Sequence, residues 1–290
     1  MSTASQSVNL KQAISKLDSL PAMPAIAQKL LALPLDTDEG EAKLLKLIAQ
    51  DPQIAAKIIG LANTPMFGAS RKVSAVNDAA MLLGLTRVKS VAIGIATMSA
   101  LTKFPEGQCK ANDLWLHSMS IAVAMRTIAK AMPARVRPMD DQIFLAGLLH
   151  DIGYMALSYL DTKASDALHS QLKQSSDRTL AEIEQDVLGT THAEIGAQLA
   201  RHWDLPEEIV SAIRYHHTPG DENATEGQPL VSLISFAEKM LPALGLDEHT
   251  AQEITEQEWL DLGIDPAKAD DIRAQIAVIS EQTSQLANVV

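Results

Sequence analysis

Eight histidines occur in this 290-residue chain, and several fall at helical spacing from apolar residues. His150 adjoins Asp151 inside Ile143-Phe-Leu-Ala-Gly-Leu-Leu-His-Asp-Ile-Gly, a run that reads as buried helix. A carboxylate there must be paired, hydrogen-bonded or bound to a cation, because an isolated buried charge costs several kcal/mol. His117 lies at helical spacing from Ile121, Ala124 and Ile128, so it points inward as well. His216 and His217 close a helix whose apolar face includes Ile209 and Ile213. Imidazole nitrogen and carboxylate oxygen drawn from several helices form the donor set that a borderline divalent ion such as Zn, Fe or Mn prefers. Any one of these histidines is more often a hydrogen-bonded core residue than a ligand; only the ensemble points to a metal. His169, His202 and His249 have polar neighbours and are expected at the surface.

Helices must position these groups. Glu41–Gln50 repeats apolar residues and stops at Asp51-Pro52, where Asp caps free amides and Pro occupies the first turn of the next helix, to Asn63. Ala75–Leu83 and Thr86–Leu101 read as helices broken at Gly84, followed by Asn112–Met132 and Asp141–Leu160. Thr191-His-Ala-Glu is a capping box opening a helix to His202, and Pro206–His217 follows. Gly220–Gly227 reads as a polar loop and Pro229–Leu244 as helix, with a second capping box at Thr255–Glu258 and a start at Asp265-Pro266. No strand-like alternation of useful length and no internal repeat interrupts this pattern.

Composition narrows the function classes. Hydrophobic residues make up 47% of the chain and aromatics only 3%, a palette that favours helix over sheet. A net charge of -12 and a pI near 5.1 disfavour generic nucleic-acid or anionic-lipid binding. Arg135 with Arg137 is the nearest approach to a basic patch and reads as a solvated loop. The single cysteine, Cys109, and the lack of a signal-peptide pattern at Met1–Leu20 fit a reducing cytoplasm. Apolar runs such as Val91–Leu101 fall short of the ~20 residues of a membrane span.

An ordered series of motifs resembles the HDOD family, a divergent branch of the HD phosphohydrolase superfamily. It comprises Leu20-Pro-Ala-Met-Pro, Asp51-Pro-Gln-Ile-Ala-Ala-Lys-Ile-Ile-Gly-Leu-Ala-Asn, Asn77–Gly84 with Val88, Trp115-Leu-His-Ser and Gly147-Leu-Leu-His-Asp-Ile-Gly. Thr191-His-Ala-Glu-Ile-Gly, Trp203-Asp-Leu-Pro and Ala212-Ile-Arg-Tyr-His-His continue it. The resemblance implies an all-α fold, with an N-terminal helical bundle (15–105) packed on an HD-like helical core (106–245). Together these make an HDOD domain over 15–245, with a tail at 1–14 and a C-terminal helical extension at 246–290. It also implies that the superfamily's metal ligands fall to His117, His150 and Asp151. The fourth falls near Glu238, where the superfamily usually has Asp. The related HD-GYP enzymes hydrolyse cyclic di-GMP with extra ligands resembling His192, His216 and His217. They carry Lys where this chain has Tyr154, and a Gly-Tyr-Pro loop where it has Thr218-Pro-Gly-Asp-Glu-Asn. Arg214 is the one base close to these motifs, so Tyr154 and Arg214 are the candidate ligand-binding residues.

Two functions are therefore expected to compete. One is a bacterial signal-transduction module that binds a signalling protein or cyclic nucleotide without efficient catalysis. The other is a metal-dependent phosphohydrolase built on the His/Asp cluster with one or two ions. In the tail, Ala269, Ile272, Ile276 and Ile279 form an apolar stripe that packs on the chain's own core or, less often, on a second copy in a homodimer.

Overall fold

In the computed structural model, the described residues are 20–102, 106–175, 178–241 and 253–284, with side chains to 282. They form helices α1 (Ala25–Leu31), α2 (Asp38–Ala49), α3 (Pro52–Ala62), α4 (Val76–Leu83) and α5 (Leu85–Leu101). There follow α6 (Ala111–Ala131), α7 (Asp140–Leu149), α8 (Ile152–Leu160), α9 (Thr162–Gln174), α10 (Leu180–Leu188), α11 (His192–His202) and α12 (Glu207–Tyr215). The chain continues with α13 (Leu230–Met240), α14 (Glu256–Asp261) and α15 (Ala269–Ser284); 3-10 turns occupy Pro65–Phe67, Glu222–Gly227 and Pro266–Lys268. No strand occurs among the described residues. The expected tail at 1–14, the helix end at Leu244 and His249 lie outside them.

Local chemistry sets the boundaries. Asp51 accepts from the Gln53 and Ile54 amides at 3.0 Å, opening α3 with Pro52 in its first turn. Asn63 then clasps the backbone of Val73 through both ends of its amide, at 2.8 Å each, and fixes the loop before α4. Gly84 has φ +89°, and there the chain turns 116° from α4 into α5. Thr255 and Glu258 form the expected reciprocal capping box, whereas at Thr191 only half of one forms. Thr191 accepts from the Glu194 amide, but the Glu194 carboxylate turns away to Arg214 and Gln198.

The helices pack in two overlapping groups. Helices α1 to α5 pack on one another, while α6, α7, α8, α11, α12 and α13 pack around the histidines. Helix α5 belongs to both groups, because it also lies on α7 and α8. A second tie is Trp203 at the end of α11, whose indole donates to the Pro21 carbonyl at 3.0 Å. The α7–α8 stretch, Asp140–Leu160, matches a membrane span in length and composition, with a mean hydropathy of 1.4 and more apolar length than the sequence pattern suggests. It is a core element: its residues from Ile143 to Leu157 are buried against the surrounding helices.

The tail stripe is covered by the chain itself. Ala269, Ile272, Ile276 and Ile279 are buried, and α15 lies along α6 and beside the Pro65–Phe67 turn. Ile276→Ala should therefore lower unfolding free energy by about 2–5 kcal/mol, within one cooperative urea transition. An unchanged midpoint would mean that α15 is peripheral. Cys109 is also buried, and its thiol is pushed up to about 12, first by burial and then by Asp151 and other nearby carboxylates. Since the thiolate is the nucleophile, iodoacetamide at pH 8.5 should label Cys109 only after denaturation.

Candidate metal centre

Asp151 sits where a helix breaks. The sequence pattern suggests one helix through Asp141–Leu160, but α7 ends at Leu149 and α8 starts at Ile152. The break has a cause in the side chain of His150, whose Nδ1 lies 2.9 Å from the Gly147 carbonyl, one of the orphan acceptors of a helix end. His216 repeats the device at the end of α12, with Nδ1 2.7 Å from the Ile213 carbonyl. Donating from Nδ1 leaves Nε2 as a bare lone pair pointing into the protein.

Four imidazole Nε2 atoms converge on one carboxylate. Asp151 Oδ2 lies 3.3 Å from His117 Nε2 and 3.2 Å from His150 Nε2. Its Oδ1 lies 3.3 Å from His192 Nε2 and 3.4 Å from His216 Nε2. All five residues are at most 1% exposed. Glu238 reaches in from α13, its Oε1 3.5 Å from His150 Nε2 and its Oε2 3.5 Å from the Nδ1 of the partly exposed His217. The donor atoms fall into two adjoining sets: Asp151, His192, His216 and His217 in one, His117, His150 and Glu238 in the other. Asp151 faces both.

Two close glycine contacts permit this convergence. A Cβ on Gly147 would come within 2.6 Å of the Ala122 Cα, so its absence lets α7 approach α6 and brings His150 beside His117. A Cβ on Gly153 would collide with the His192 carbonyl, and Gly196 faces Gly153 from α11. These small residues bring α8 against α11 and His192 against Asp151.

Glu184, a residue that sequence reasoning missed, completes the site. From α10 its Oε1 lies 2.7 Å from His192 Nδ1 and accepts the His192 backbone amide at 3.1 Å. It is buried, on the same helical face as Leu180, Ile183 and Leu188. A carboxylate on an apolar face was the available signal. His169 corrects an expectation: it is buried rather than at the surface, with Nδ1 2.8 Å from the Ser165 carbonyl and its ring against Tyr154. It shares the inner face of α9 with Leu168 and Leu172, which outweighs its polar sequence neighbours. His202 is exposed as expected.

The two candidate ligand-binding residues have other contacts. Tyr154 is buried and stacks on His192, centroids 4.1 Å apart and rings 11° from parallel. Arg214 holds Glu194 with Nε at 2.9 Å from Oε2 and Nη2 at 3.0 Å from Oε1.

The donors fit a divalent ion. His117 and His150 place their Nε2 atoms 3.2 Å apart, and His192 and His216 place theirs 3.3 Å apart. Two imidazole lone pairs at that distance repel unless a proton or a cation lies between them. Neither Asp151 oxygen has a well-aligned hydrogen-bond donor, although burial demands compensation. Burial alone would raise the Asp151 pKa, but His150 and the imidazoles of His117 and His192 outweigh it and hold the carboxyl well below its usual range. Burial likewise opposes a charge on His192, yet Glu184 and Asp151 lift it well above an ordinary histidine. Burial pushes His216 down to about 4, against Asp151 and with the nearby imidazoles, so it is a neutral donor at pH 7.

Residues 20–219 match the HDOD domain family. The chain belongs to the HDOD family. This segment holds every cluster residue except Glu238. A protein of Treponema pallidum (strain Nichols), uncharacterised, is 25% identical over 238 residues; this chain spans 44% of its length and is itself covered over 80%. Among solved structures, an HDOD domain protein of unknown function from Geobacter sulfurreducens is similar at 24% identity and a TM-score of 0.69, covering 93% of this chain and 99% of that one. A Shewanella amazonensis protein provisionally named a phosphohydrolase has 23% identity and a TM-score of 0.72, with 98% of each chain covered. A Marinobacter aquaeolei protein provisionally named for signal transduction has 24% identity and a TM-score of 0.78, covering 97% of this chain and 61% of that one. At these identities the solved structures establish the shared helical fold.

Removing the partner of a metal-ligating imidazole lowers metal affinity by about 10–100-fold. Glu184→Ala should show that loss in a competition titration with a chromophoric chelator, and Glu184→Gln, which keeps an acceptor, a smaller one. Equal affinity in Glu184→Ala would exclude His192 as a ligand.

Proposed function

We propose that this chain is a regulatory HDOD module of bacterial signal transduction, acting in the cytoplasm by binding a signalling protein or a cyclic nucleotide. In this reading its His/Asp cluster holds divalent metal as a structural fastening, without efficient turnover. The observation that carries the reading is the closure of the Asp151 site. The carboxylate and its four imidazoles are buried to the last few hundredths of their surface, and only His217, with its side chain 31% exposed, opens to solvent.

Phosphoester hydrolysis needs more than ligands. A bound metal would generate hydroxide near neutral pH and polarise a phosphoryl group. The rest falls to side chains that reach the transferred oxygens. Here the Arg214 guanidinium is engaged by Glu194, and the Tyr154 ring lies flat on His192 in the interior. What the chain's own residues do well is bring α6, the α7–α8 junction, α11, α12 and α13 to one point. One or two ions there, held by donors drawn from His117, His150, Asp151, His192, His216, His217 and Glu238, would fasten five parts of the core at once. Iron, manganese and zinc all suit this nitrogen and oxygen set.

The alternative, a phosphohydrolase, is favoured by one feature: Asp151 faces two donor sets, as a carboxylate does between paired metals. One experiment separates the readings. Untagged protein, purified without chelator, should contain bound transition metal by mass spectrometry. Chelation should lower its melting temperature by several degrees, and turnover of bis(p-nitrophenyl) phosphate should not exceed that of Asp151→Asn. Turnover that requires Asp151 would establish the hydrolase instead. Protein with no metal, and unaffected by added metal, would remove both metal-based readings.

A further inference from the structure

Outside the His/Asp cluster, three cations gather in a protein whose net charge is -12. Arg87 on α5 and Arg126 and Lys130 on α6 line a pocket of about 240 Å³, closed on one side by Gln275 and Gln282 of α15. The Arg87 guanidinium lies 5.8 Å over the Phe144 ring. Arg126 bonds to Asp140 at 2.8 Å. Asp140 is the carboxylate whose field reaches all three cations, so among the described residues three positive charges face one negative charge there. Like charges brought together repel. Partial burial and then their mutual proximity disfavour the charged forms of Arg87 and Lys130. An anion relieves that cost.

We infer that this pocket binds a small phosphate-bearing anion between the α5–α6 cations and the two glutamines of α15. Guanidinium and ammonium groups suit phosphate oxygens, the first as a planar fork and the second as a point charge. Gln275 and Gln282 are seven residues apart, two helical turns on one face, and both offer amide donors. The volume is enough for a phosphate or pyrophosphate group. Helices of the bundle, the core and the C-terminal extension meet here, since Phe67, Arg87, Phe144 and Ile279 also line the walls. The anion therefore joins α15 to the rest of the protein and gives the extension a role in ligand response.

Calorimetric titration of the full chain tests this with two probes, pyrophosphate and adenosine monophosphate, at constant ionic strength set with sodium chloride. Saturable binding of either probe is expected, weakened at least tenfold by Lys130→Gln and by Arg87→Gln but unchanged by the distant Arg201→Gln. Lys130 is exposed, so its variant keeps the fold if Arg87→Gln does not. Tighter pyrophosphate binding would identify a free anion, and tighter adenosine monophosphate binding the phosphate of a nucleotide. No saturation with either probe to 10 mM, or equal binding in wild type and Lys130→Gln, would overturn the inference.

Discussion

A single buried carboxylate organises the protein's core. Asp151 carries its charge where solvent does not reach, and the cost of an uncompensated ion in that position exceeds what any nearby apolar contact returns. The surrounding architecture answers that constraint. Four imidazoles face the carboxylate, three of them turned by their own Nδ1 contacts to a carbonyl or to Glu184 so that Nε2 points inward. The helices that deliver them approach closely only because Gly147, Gly153 and Gly196 carry no side chain. The packing of the core thus rests on the same interaction.

Compensation can come from protons or from metal, and the two leave different marks. If protons supplied it, the lifted basicity of His192 would make the cluster a buried ion-pair network. Metal instead uses the lone pairs that now face each other in pairs at 3.2 and 3.3 Å. The presence of Glu238 and His217 beside those pairs adds donors that a simple ion pair does not require. Metal therefore explains more of the arrangement.

Much of this was legible in the sequence, for physical reasons. The helical class followed from periodicity and from caps such as Asp51-Pro52, because local hydrogen bonding decides helix starts. His117, His150, Asp151, His216 and His217 could be named because histidine and aspartate on apolar faces need an explanation, and His192 through the resemblance to HD-GYP enzymes. Glu184 escaped because no histidine or family motif singles out its segment, where Glu182 and Asp186 are its acidic neighbours. His169 was misplaced for a similar reason, its burial being set by which face of α9 meets the core. The break at His150-Asp151 was hidden by continuous apolarity, since a side chain capturing the Gly147 carbonyl leaves no mark in a hydropathy pattern. The cationic pocket escaped as well: Arg87 and Lys130 are 43 residues apart and come together because α5 and α6 both pack on α7.

Urea unfolding of wild type and Asp151→Asn, each with chelator and with excess Mn²⁺, tests the role of Asp151 most directly. Metal at a hundred times its dissociation constant should stabilise wild type by about 2.7 kcal/mol. It should leave Asp151→Asn unmoved. Wild type indifferent to Mn²⁺, with Asp151→Asn clearly less stable, would contradict the account and show that protonated imidazoles alone hold the carboxylate.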